Sequence, residues 1–78
     1  MIYNVKTYIN GEKTFDENVK GDSPKQLVTK FSNEYFKTKR IDFVSFKVTN
    51  EYGMSHFYKV YLDRINKKLV FTKAKKGG

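Results

Sequence analysis

Only one stretch of this 78-residue chain carries apolar residues at helical spacing, while most of the rest alternates. Leu27, Val28, Phe31 and Tyr35 form a single stripe on one side of a helix. Ile2 to Ile9, Lys13 to Val19, both arms of Ile41 to Leu62, and Leu69 to Lys73 alternate with the period of two that belongs to strands. One helix with one stripe covers one face of a sheet, so the other face must be solvated or used. The predicted fold is therefore α+β. A single helix packs on one face of a mainly antiparallel five-stranded sheet, in the order ββαβββ, as one domain over residues 1–74. Residues 75–78 (Lys75-Lys76-Gly77-Gly78) are predicted to be a disordered basic and glycine tail.

Local signals place the elements. Asn10-Gly11 is a strong hairpin signal, because both residues tolerate positive φ. A two-residue turn would pair Ile9 with Glu12 and Val5 with Asp16, setting apolar against acidic side chains. A three-residue loop with Gly11 left-handed keeps Tyr3, Val5, Ile9, Phe15 and Val19 on one face, and so a glycine bulge is predicted there. Further on, Ser23 suits an N-cap, Pro24 the first helical position and Gln26 the far corner of a capping box, with the helix running to about Lys37.

The stretch from Ile41 to Leu62 reads as a two-sided hairpin around Gly53. Val44, Phe46, Val48, Tyr58, Val60 and Leu62 make its apolar side. Phe43, Lys47, Phe57, Lys59 and Tyr61 fall on the other, with Lys6 and Tyr8 of the first strand as a candidate extension. In the last strand Leu69 and Phe71 point inward, and Val70 and Thr72 outward.

Residues 2–37 resemble the opening half of a β-grasp domain, the fold of ubiquitin and of small immunoglobulin-binding bacterial domains. The resemblance rests on the VKTYI strand, the Gly11 turn, the Phe15 and Val19 return and the DSPKQLVTKF helix start. It ends after Arg40, where three substantial strands replace a shorter ending, and no family is assigned from it. Gly77-Gly78 is similar to the tail of conjugated ubiquitin-like modifiers, but conjugation is not carried over from two glycines.

Charge sharpens the functional reading. Residues 1–36 hold five lysines against five acids, whereas residues 37–78 hold nine lysines and two arginines against Asp42, Glu51 and Asp63. The whole formal excess of +8 thus falls after the helix. A basic half favours a polyanionic partner.

Catalytic and metal constellations do not emerge. With no cysteine and one histidine, neither a disulfide, a thiolate metal site nor a zinc site is expected, and no cofactor is implied. Ser55 and His56 adjoin, but neighbouring strand residues point to opposite faces and cannot form a nucleophile–base pair; Asp16 and Glu17 face apart for the same reason. The MIYNVK start lacks the pattern of a signal peptide, and no apolar run has the ~18 residues of a membrane span. The expectation is a soluble, cytoplasmic non-enzyme without membrane contact.

Two functions are compatible with this pattern. In the first, the chain is a small basic module for single-stranded DNA or RNA with weak sequence specificity. Phe43, Phe57 and Tyr61 stack bases and Lys47 and Lys59 track phosphates, while Arg64, Lys67, Lys68 and Lys73 add a sequence-independent grip. In the second, it is a small phage or mobile-element protein that docks on a host protein through its open sheet face or an edge strand. A homodimer formed through the open face would occupy the platform that the first reading needs.

Overall fold

The computed structural model describes residues 1–73, so the predicted tail and its two glycines lie outside the described residues. Five strands and one helix follow the predicted order: β1 (Ile2–Ile9), β2 (Glu12–Lys20), α1 (Pro24–Thr38), β3 (Phe43–Thr49), β4 (Ser55–Asp63) and β5 (Lys68–Lys73). They form one sheet in the order β2-β1-β3-β4-β5, with every neighbouring pair antiparallel. α1 therefore serves as the crossover that carries the chain from the β2 edge past β1 to β3.

The core is the alternate set of side chains that faces the helix. Tyr3, Val5, Val44, Phe46, Val48 and Val60 are buried beneath Leu27 and Val28 of α1. Around them pack Ile9, Phe15, Val19, Phe31, Tyr35, Phe36, Ile41, Tyr58, Leu69 and Phe71. The helix makes side-chain contacts to the outer strands as well. Phe31 tilts against Phe15 of β2 with ring centres 5.3 Å apart, and the Lys25 ammonium lies 5.3 Å from the Phe71 ring of β5. Beyond the predicted stripe, α1 also buries Ser32 and packs Phe36 against the core.

The helix start matches its sequence signals. Ser23 Oγ accepts from the Gln26 amide at 3.1 Å, and the Asp22 amide donates to Gln26 Oε1 at 3.0 Å. The reciprocal bond thus falls one residue before the N-cap, and Pro24 occupies the first helical turn. The helix ends where the Lys39 amide donates to the Tyr35 carbonyl at 2.8 Å.

The first hairpin corrects the predicted glycine bulge. Asn10 and Gly11 both have positive φ (53° and 79°), and Ile9 pairs directly with Glu12, which is a minimal two-residue turn. The irregularity sits one pair further in: Tyr8 pairs with Lys13 but Thr7 with Phe15, leaving Thr14 as the extra residue. That insertion moves Val5 opposite Glu17 and returns Phe15 and Val19 to the helix side. A hydroxyl cluster accompanies the bulge. Thr7 Oγ1, fully buried, lies 3.0 Å from both Thr14 Oγ1 and the Tyr35 hydroxyl. The three-residue loop ending in a left-handed glycine occurs instead between β3 and β4. There Gly53 has φ 83°, its amide donates to Asn50 O at 3.1 Å, and the Asn50 amide donates to Met54 O at 2.9 Å.

Candidate nucleic-acid interface

On the face away from α1, the register sets side chains in rows that run across the strands. One row passes from Asp16 through Lys6 and Lys47 to Phe57. The next passes from Lys13 through Tyr8, Ser45 and Lys59 to Thr72, spanning all five strands. A third joins Phe43, Tyr61 and Val70. The expected constellation of Phe43, Lys47, Phe57, Lys59 and Tyr61 is thus brought together on β3 and β4. Lys6 and Tyr8 extend it onto β1. These positions follow from the period of two once each ladder's register is set.

The rings and ammonium groups touch one another. Lys59 Nζ lies 4.3 Å from the Phe43 ring centre and 5.5 Å from that of Tyr61, while Lys47 Nζ lies 5.7 Å from the Phe57 ring. Phe43 and Tyr61 pair with ring centres 5.7 Å apart and planes inclined by 42°. Such contacts attract cations to ring faces and stand the side chains together on the sheet. Tyr61 and Val70 remain substantially exposed, so the third row presents apolar surface that reaches the edge strand β5.

Charge across this face is lopsided. At the β2 edge Lys13 donates to Asp16 at 2.9 Å, and Asn4 adds a bond to the same carboxylate at 3.2 Å. The Lys13 partner, followed by Asn4, holds the Asp16 carboxyl below the usual carboxylate range, and the same pair raises the Lys13 ammonium. At the β4–β5 end the Asp63 carboxylate is committed to its own turn. It accepts from the Asn66 side chain at 2.8 Å and from the amides of Ile65 and Asn66 at 3.1 and 3.2 Å. These bonds, the Asn66 side chain first, lower its pKa.

The remaining predicted residues scatter around the platform. Arg64 and Lys67 stand exposed in the β4–β5 turn, and Arg64 Nη2 donates to the Ile41 carbonyl at 3.3 Å. Lys68 opens β5 opposite Asp63. Lys73 closes β5, paired with Tyr58. The Arg64 contact also brings in Lys39 and Arg40, which directly precede Ile41. Their adjacency to a residue bound across the sheet end has no signature in spacing.

Ser55 and His56 do face apart. Ser55 Oγ lies 2.9 Å from Thr49 Oγ1 on the open face, whereas His56 pairs with Val48 in the helix-side set. Among the described residues no helix is long and apolar enough to cross a membrane. Comparison with protein-family models, curated proteins and solved structures finds no match.

Proposed function

We propose that the chain binds single-stranded nucleic acid across the uncovered face of its sheet. The supporting observation is the interleaving of rings and ammonium groups on the three central strands: Lys6 and Tyr8 on β1, Phe43 and Lys47 on β3, Phe57, Lys59 and Tyr61 on β4. Unpaired bases stack on such rings with ~1–3 kcal/mol each, and phosphates replace the rings as partners of the lysines. Stacking tolerates any base, so weak sequence preference goes with this chemistry. The test is a titration of labelled single-stranded DNA and RNA at low and raised salt, with wild type and with Phe57→Ala/Tyr61→Ala. Wild type binds at low salt and weakens as salt rises, and the double variant loses roughly tenfold or more in affinity. Absence of wild-type binding at low salt removes the reading.

One observation favours a second reading, a small interaction protein of the phage or mobile-element kind. The apolar row of Phe43, Tyr61 and Val70 ends on β5, an edge strand whose outer backbone is unpaired within the sheet. An apolar edge of this sort suits strand addition by a host protein. Oligomeric state as a function of concentration, together with pull-down sensitivity to Val70→Lys, separates this reading from the first.

A further inference from the structure

Resting on the single-strand reading, we propose that the bound strand leaves the platform at the β4–β5 end and continues over a basic collar of Lys39, Arg40, Arg64, Lys67 and Lys68. The preferred ligand is then a strand longer than the ring platform itself. Three observations carry this. First, collar and platform are continuous. The Phe43–Tyr61 pair and the Asp63–Lys68 pair lie one open-face row apart, and Arg64 Nη2 on the Ile41 carbonyl, at 3.3 Å, ties the turn to the segment that bears Lys39 and Arg40. Second, positive charge is concentrated at the collar. It sets five cations against Asp42 and Asp63, whereas the open-face positions of β2 set Lys13 and Lys20 against Asp16, with Lys13 already paired to that carboxylate. A phosphate chain is drawn most strongly toward the collar. Third, no collar cation stands in an ion pair among the described residues. Asp63 spends its oxygens on Ile65 and Asn66, and the ion pair found among the described residues, Lys13 with Asp16, is at the other edge.

Lys39, Arg40 and Lys67 are exposed, so a Lys39→Gln/Arg40→Gln/Lys67→Gln variant removes collar charge while leaving Arg64 on Ile41. The experiment titrates labelled oligothymidylates of about four and about twelve nucleotides, lengths that bracket a small platform and a platform plus collar. Wild type is expected to bind the longer strand on the order of tenfold more tightly, beyond the gain from extra registers. The variant brings the longer strand down toward the shorter one, leaves the shorter one unchanged, and reduces the salt slope for the longer strand by roughly two. Equal loss on both lengths, or no loss on either, overturns the collar while ring-dependent binding of the short strand keeps the platform. No wild-type binding at either length overturns both together.

Discussion

Lys59 rests its ammonium 4.3 Å from the centre of the Phe43 ring, on the sheet face that the helix leaves bare. The two residues stand on neighbouring strands and not directly opposite, since Phe43 pairs with Tyr61 and Lys59 with Ser45. The lysine therefore leans along β4 toward the ring pair, where it also approaches Tyr61 at 5.5 Å. This geometry gives the mixture of rings and cations a folding role independent of any ligand.

That role is measurable. A double-mutant cycle with Phe43→Leu and Lys59→Met, followed by urea denaturation, is expected to return a coupling of about 0.5–1 kcal/mol, the range for a partly exposed cation–π contact. Coupling indistinguishable from zero would mean that the lysine samples water freely. Saturating single-stranded nucleic acid is expected to lift the ammonium from the ring, so the chemical shifts of the Phe43 ring protons should move on binding in wild type and less so in Lys59→Met.

Close approach explains one glycine. A Cβ on Gly21 would lie 2.7 Å from Cγ and Cδ2 of Leu27, and Leu27 is 1% exposed with no room to retreat. Gly21→Ala is expected to cost about 1–3 kcal/mol as overpacking. Gly11→Ala, at φ +79° with open space around it, is expected to cost about 1–2 kcal/mol through backbone strain instead. The two mechanisms separate in a Leu27→Ala background, where the Gly21→Ala cost should shrink and the Gly11→Ala cost should persist. An unchanged Gly21→Ala cost in that background would assign it to something other than the contact.

A buried hydroxyl makes the opposite prediction. Ser32 is fully buried between helix and sheet, and its Oγ has no hydrogen-bond partner among the described residues. An unsatisfied buried polar group carries a desolvation penalty, and alanine is the better helix former. Ser32→Ala is expected to raise stability by about 1 kcal/mol, read as a higher urea midpoint. Ser32→Leu should lower it, since the position is small as well as apolar in its surroundings. A destabilised Ser32→Ala protein would show that the hydroxyl does find a partner.

These cases mark how far sequence reasoning reaches. Alternation located all five strands, and the Ser23-Pro24-Gln26 signature located the helix, because both depend on local chemistry. The shared face of Phe43, Lys47, Phe57, Lys59 and Tyr61 follows from the same parity. Spacing misleads at the Asn10-Gly11 turn, because a two-residue turn sets apolar against acidic side chains only where the ladder beside it is regular. The Thr14 bulge breaks that regularity, and the hydroxyls that accompany it, Thr7 and Tyr35, come from elements distant in sequence. Ser32 is not legible because a polar residue on a helix reads as solvated, whereas this one is buried. The collar is invisible in the sequence because its two halves are joined, among the described residues, by the Arg64–Ile41 contact across 23 positions of the chain.

Asp16 and Asp63 both have lowered pKa values in the folded chain, chiefly through bonds from Lys13 and from the Asn66 side chain respectively. Unfolding removes those donors, so the unfolded carboxylates bind protons more tightly than the folded ones. Stability from these groups is then fully present above the ordinary carboxylate range, near pH 4, and is lost as pH falls through the lower folded values. For Lys13 the sign reverses: its pKa is raised, so its share of the pair disappears as pH climbs past the ordinary 10.5. Asp16→Asn/Asp63→Asn is therefore expected to be less stable than wild type near neutral pH and to show a shallower decline below about pH 4. Urea midpoints from about pH 7 to pH 2.5 measure both features. Parallel acid limbs in the two proteins would place the acid sensitivity in other carboxylates.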